Sequence, residues 1–164
     1  MIGPQDLAAA LARNVKTVQA QTGGLTHADA LLQPPFRGNC MNWVLGHVLE
    51  NRNLTLQKLG QAPILSEAQA KRYGYGSEPV CDDGGDQIAD ILNLEAMLAL
   101  LVQSQETIEG ALGSVTSDVL AQDTSSFLGT TTLGQFLFFL YYHETYHVGQ
   151  LELLRQLAGT DDAM

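Results

Sequence analysis

Apolar side chains recur along four stretches of the chain at the three- and four-residue spacing of helices that bury one face. The first runs from Pro4 to about Gln21, with Leu7, Leu11, Val15 and Val18 as its stripe. Pro4 suits the first position of a helix, where its missing N–H costs nothing, and Gly23-Gly24 ends the run. The second begins near Asn39, a side chain able to cap an N-terminus, and reaches Leu59 before Gly60. Val44, His47, Asn51 and Leu54 share one face of it, and Leu45, Leu49, Leu56 and Leu59 widen the apolar surface. The third is expected to start after Asp83 or Asp86 and to end at Leu112, with Ile91, Leu94, Leu98, Leu101 and Ile108 repeating along it. The fourth begins at Thr132, which has the spacing of a capping box with Gln135, and ends at Gly159. No stretch reads convincingly as a strand.

Two longer connections separate these helices. Gln61 to Gly85 holds Pro63, Pro79 and several glycines, with one helical turn expected near Ser66 to Arg72. A connection of this length inside a compact chain either roofs a site or is a solvated linker. Gly113 to Thr131 is rich in Ser, Thr and Asp and reads as a crossover. The predicted fold is all-α, a four-helix bundle with long crossover loops, in one domain spanning 1–164.

Composition narrows the function classes. The 164 residues carry a net charge of −10, with only eight Lys and Arg and no basic stripe. That balance argues against a nucleic-acid backbone or an anionic membrane as partner. The apolar run from Phe136 to Tyr142 is far short of a membrane span, and Met1 to Asp6 does not read as a secretory leader. Cys40 and Cys81 are isolated and expected to be free thiols, so a cytoplasmic setting is expected.

The chemistry concentrates in the fourth helix. His143 and His147 are four residues apart, hence about 40° apart around a helix and about 6 Å apart along it, so both rings reach one ion. They lie on the apolar seam of Phe136, Leu140, Leu151 and Leu154, where an unsatisfied polar group is costly. His47, on the inward face of the second helix, is the third candidate ligand, and His27 reads as a surface residue. Three neutral imidazoles suit Zn, Ni, Fe or Cu and leave a coordination position open, the pattern of a catalytic rather than a closed site. Glu144, beside the seam, and Tyr146 are candidate acid/base groups. A solvated flank carboxylate is the plainer reading of Glu144. His143-Glu-Thr-Tyr-His147 also matches the H-E-x-x-H of zinc proteases, but no downstream histidine completes that pattern.

The run Leu133-Gly-Gln…His143-Glu-Thr-Tyr-His147-Val-Gly-Gln-Leu resembles the last-helix signature of the DinB/YfiT-like superfamily of metal-binding four-helix bundles. Asn42-Trp43-Val44-Leu45-Gly46-His47 is similar to that family's second-helix motif. The resemblance implies Zn or Ni held by His47, His143 and His147, often in a homodimer. It also implies kinship with S-transferases and isomerases that use low-molecular-weight thiols. The family often has a basic residue after the last histidine, and Val148 stands there instead.

On the opposite side of the fourth helix Phe138, Tyr142, Thr145 and Gly149 recur at helical spacing, and we expect a homodimer through that face. The expected function is a metal-dependent transferase or hydrolase acting on a small molecule, with thiol-bearing molecules among the expected substrates. The alternative is a non-catalytic metal-binding or dimeric interaction module.

Overall fold

The computed structural model describes residues 3–77, 80, 91–127 and 129–160. Among them the chain is mostly helical. Four long helices, α1 (Pro4–Thr22), α3 (Met41–Lys58), α5 (Leu94–Leu112) and α7 (Leu133–Gln156), make the body. Three short ones, α2 (His27–Ala30), α4 (Glu67–Tyr73) and α6 (Ser117–Leu120), lie in the connections. α1 packs chiefly on α5 and α7, and α3 packs on the same two helices.

The element ends follow from capping chemistry. The Thr132 hydroxyl accepts from the Gln135 backbone N–H at 3.2 Å, and the Gln135 side chain accepts from the Thr132 N–H at 3.1 Å. That reciprocal pair starts α7 where the sequence predicted. The expected turn at 66–72 is α4, opened by the same arrangement between Ser66 and Gln69. Two expectations are corrected. Cys40 rather than Asn39 precedes α3. The third long helix starts at Leu94, not after Asp83 or Asp86, because the Asn93 side chain accepts from the Ala96 N–H at 2.7 Å. Residues 81–90, including Cys81, lie outside the described residues, while Cys40 is a buried free thiol.

The predicted crossover before α7 contains a structure the sequence reading omitted. β1 (Asp123–Ser126) and β2 (Gly129–Thr132) pair antiparallel, with Asp123 opposite Thr132 and Ser126 opposite Gly129. Its strands hold mostly Ser and Thr with no apolar alternation, so the pattern carried no strand signal. The Lys58 ammonium anchors it to the end of α3 by donating to the Ser125 carbonyl at 2.6 Å.

The core is divided by a polar layer. Leu7, Leu11, Leu56, Ile108, Leu112 and Leu137 belong to one buried cluster. Val15, Val18, Val48, Leu101, Val148 and Leu151 belong to another. Between them in sequence order on their helices stand Asn14 from α1, Arg52 from α3, Ser104 and Gln105 from α5, and Glu144 from α7. The Arg52 guanidinium donates to the Glu144 carboxylate at 2.7 Å, and neither side chain is exposed at all. It also donates to Ser104, Gln105 and the Leu11 carbonyl, while Asn14 donates to Glu144 at 3.1 Å. A buried charge is tolerable only when paired and hydrogen-bonded in this manner.

Removing one partner strands the other charge in the core. Arg52→Ala is therefore expected to lower the unfolding free energy by about 3–5 kcal/mol, read from urea denaturation. The double replacement Arg52→Met with Glu144→Leu is expected to recover most of that loss. Equal destabilisation by the single and double variants would show that the pair itself is not the source.

Candidate metal centre

His47, His143 and His147 come together although nearly a hundred residues separate the first from the others. Their ligating atoms lie within 4.8 Å of one another. His47 is buried, and the other two are half-buried at the protein surface. The ring centroids of His47 stand 5.2 Å from His143 and 4.8 Å from His147.

Each ring is held at its outer nitrogen. His47 Nδ1 lies 2.7 Å from the Tyr73 carbonyl oxygen, an acceptor only, so this nitrogen carries the proton. His143 Nδ1 lies 3.3 Å from the Asn51 side-chain oxygen. The Asn51 amide is oriented by donating its own N–H to the Leu140 carbonyl at 2.8 Å, which turns its oxygen towards the histidine. His147 Nδ1 meets the Gln150 side-chain oxygen at 2.8 Å. In the tautomer in which all three Nδ1 atoms donate to these oxygens, the Nε2 atoms carry the lone pairs that an ion needs.

Those lone pairs are the test of whether an ion fits. His143 Nε2 and His147 Nε2 stand 3.0 Å apart. Two facing lone pairs repel unless a cation lies between them. At Zn–N distances of about 2.0–2.1 Å, tetrahedral ligand atoms stand about 3.3 Å apart, so the pair needs little movement to bind one ion. Electrostatics agree. Burial lowers the pKa of His147 to about 4, with the neighbouring histidine charges adding to the effect against the Gln150 hydrogen bond. Burial also lowers His143, helped by the His47 charge, and lowers His47 against its bond to Tyr73. At neutral pH the site therefore holds neutral imidazoles, the form that ligates.

The second-helix motif has a physical explanation in the packing of α4. A Cβ on Gly46 would fall inside the van der Waals envelope of the Tyr73 ring, so glycine lets that ring lie against α3. The Tyr73 hydroxyl donates to Asn42 at 3.2 Å and accepts from the Leu92 N–H at 2.8 Å. Trp43 stacks on the His47 ring at 4.9 Å and donates to Ser77 at 3.0 Å. The long connection thus supplies the carbonyl that orients His47. The sequence reading missed the orienting roles of Tyr73, Asn51 and Gln150. The signals were present: Asn51 lies one helical turn beyond His47, and Gln150 lies one turn beyond His147.

Of the two candidate acid/base groups, Tyr146 lines the cleft over the triad and packs its ring edge-on against His147 at 5.1 Å. Glu144 points the other way, into the polar layer with Arg52, and is fully buried. The reading of Glu144 as a solvated flank carboxylate is corrected, because α7 is covered by α1 and α3 on that side. His27 is half-buried at the start of α2 and does not join the triad.

Substituting Gly46 by Ala is expected to push the Tyr73 ring off α3 and move the carbonyl that fixes His47. Zn affinity, measured by competition with a chromogenic chelator, should fall about 10–100-fold, the usual effect of losing an outer partner of a metal ligand. Unchanged affinity in a folded variant would show that the Tyr73 contact does not position the ring.

Comparison with known proteins agrees with the helical fold. A conserved protein from Enterococcus faecalis has a similar solved structure, with a TM-score of 0.74 at 18% identity, over 98% of this chain and 99% of that one. A histidine-to-alanine mutant of a mycothiol-dependent maleylpyruvate isomerase has a TM-score of 0.62 at 12% identity, over 92% of this chain and 61% of that one. At these identities the likeness speaks to the fold alone, and this chain spans about three-fifths of the isomerase. No curated protein matches the chain in sequence. The DinB family model matches residues 82–164, a span that contains α5, α7 and two of the three histidines. The chain belongs to the DinB family.

Proposed function

We propose that the four long helices form a four-helix bundle whose His47, His143 and His147 hold one divalent ion, Zn or Ni, for transfer or hydrolysis on a small, thiol-bearing molecule. The observation that carries this reading is three imidazoles whose ligand atoms lie within 4.8 Å of one another, each with its Nδ1 beside an oxygen atom. The triad opens on a cleft of about 710 Å³, a size that suits a small molecule. A divalent ion held there by three neutral ligands lowers the pKa of a thiol or a water at its open position. The chain's own groups do the rest. Trp43 and Tyr73 keep His47 in place, and Tyr146 at the cleft wall is placed to exchange a proton with a bound molecule. Glu144 acts from behind, by holding α7 against α1 and α3 through Arg52. The mycothiol-dependent isomerase of similar fold makes a thiol a reasonable first substrate class to test. No helix among the described residues is long and apolar enough to cross a membrane. A cytoplasmic setting, where low-molecular-weight thiols are kept reduced, suits the reading.

The test is metal content and turnover together. Protein purified without an affinity tag should carry close to one Zn or Ni per chain, and thiol consumption against a panel of epoxides and activated alkenes should be metal-dependent. His143→Ala should lose the ion and the turnover. Full metal content with no turnover, and a melting temperature that collapses on chelation, would favour the second reading, in which the ion only fastens α3 to α7.

Phe138 and Tyr142 are largely exposed on α7, with Leu153 further along the same helix. Neither the long connection nor the β-hairpin covers Phe138 and Tyr142 among the described residues. We read this face as the surface of a homodimer. Sedimentation equilibrium should give twice the chain mass, and Tyr142→Asp should give the monomer. A wild-type monomer at high micromolar concentration would remove the dimer.

A further inference from the structure

Two cavities meet at the triad and share His47, His143 and Tyr75 as lining. The cleft described above contains Arg37, Asn39, Ser77 and Gln150, and Arg37 is the one charged group among the described residues of its wall, the histidines being neutral. The second cavity, of about 570 Å³, lies on the other side of His47 and His143 between α3 and α7. Leu54, Phe127, Phe139 and Leu140 wall it, and Glu50 is its one acidic group among the described residues. The hairpin omitted by the sequence reading matters here. Its turn carries Phe127 over α7, edge-on to Phe139 at 5.7 Å and to Phe136 at 5.5 Å. Phe139 in turn stacks on His143 at 5.9 Å, so the apolar wall runs directly to a triad ring.

We propose that the triad stands at the junction of two subsites, the Arg37-bearing cleft taking a thiol with an anionic group and the second, more apolar cavity taking the ring-sized apolar part of a second substrate. The inference rests on the small-molecule reading of the triad. Its own support is the shape and chemistry of the second cavity. A largely aromatic and aliphatic wall with a few polar groups, here Glu50 and Asn51 beside the two triad rings, is the usual form of a site that binds an apolar body and fixes its orientation. Asn51 is already engaged by Leu140 and His143, which leaves Glu50 as the orienting group. It lies one helical turn beyond His47 and has no hydrogen-bond or ion-pair partner among the described residues. Burial alone pushes its carboxyl up to about 7. Half-buried on the cavity wall, the carboxyl is open to a ligand from the cavity side. The two charges match the division of labour: Arg37 meets a carboxylate on the cleft side, and Glu50 meets a neutral oxygen on the apolar side.

The experiment uses the metal-loaded protein with leucine methyls labelled with carbon-13, benzyl alcohol as the apolar probe and N-acetylcysteine as the thiol probe. Trp43 is the only tryptophan of the chain and lies in the cleft, so its indole reports on that side. Benzyl alcohol should shift the Leu54 and Leu140 methyl signals and leave the Trp43 indole unmoved. N-acetylcysteine should do the reverse. Saturation with one should change the apparent Kd of the other by less than twofold, a measurement that needs no variant. Mutual displacement of the probes would overturn the two-subsite arrangement. Leu54→Arg should weaken benzyl alcohol at least tenfold and leave N-acetylcysteine within twofold. Equal weakening of both in a folded, metal-loaded variant would also overturn it. Glu50→Leu should abolish the preference for benzyl alcohol over toluene, and a preserved preference would remove Glu50 from the assignment. The methyl titrations do not depend on turnover, so an inactive protein that still binds both probes would sink the catalytic reading and leave the cavity assignment standing.

Discussion

The buried contact between Arg52 and Glu144 sets the frame in which the rest of the molecule works. Each long helix gives at least one polar side chain to this layer, and each such side chain has partners at one height only. Apolar stripes tolerate sliding by a turn, because leucine meets leucine in either register. A buried guanidinium does not, since a displaced partner leaves a bare charge in the core. The layer therefore fixes how far α7 is advanced along α3. Glu144 is the neighbour of His143, and Arg52 lies five residues beyond His47, so the same register brings the three imidazoles to one height.

Convergence alone does not make a ligand set. Imidazole has two nitrogens, and a ring free to flip presents a proton as readily as a lone pair. Here three unrelated acceptors remove that freedom: a backbone carbonyl from the long connection, a side-chain amide from α3 and a side-chain amide from α7. The demand reaches well away from the site. Gly46 is needed because Tyr73 must lie flat on α3 for its carbonyl to reach His47, and Asn42 and the backbone at Leu92 hold the far end of that tyrosine. The second-helix motif is thus one packing unit with a single output, the tautomer and direction of one ring.

What the sequence disclosed and what it withheld divide along physical lines. The four long helices were legible because each buries a stripe at regular spacing, and Thr132 with Gln135 carried its own start signal. The triad was legible because histidines on apolar seams stand out against their surroundings. The start of α5 was misplaced, since several acidic residues upstream offered equally good caps and only tertiary packing selects Asn93. The hairpin was invisible because its stability comes from Lys58 and the aromatic cluster under Phe127 rather than from alternation. Glu144 was misread as a surface group because its partner is ninety-two residues away on another helix. Glu50, by contrast, sits in a helix that is otherwise nearly all buried, a local signal that a charged side chain there has a purpose.

The account reduces to three Nε2 atoms aimed at one ion. X-ray absorption at the metal edge of the loaded protein tests this most directly, because imidazole has a characteristic multiple-scattering pattern that carboxylate and water lack. The account predicts three imidazole nitrogens at about 2.0–2.1 Å together with at least one exchangeable ligand that is not imidazole. A shell with one imidazole or none, or one dominated by carboxylate oxygen, would contradict it.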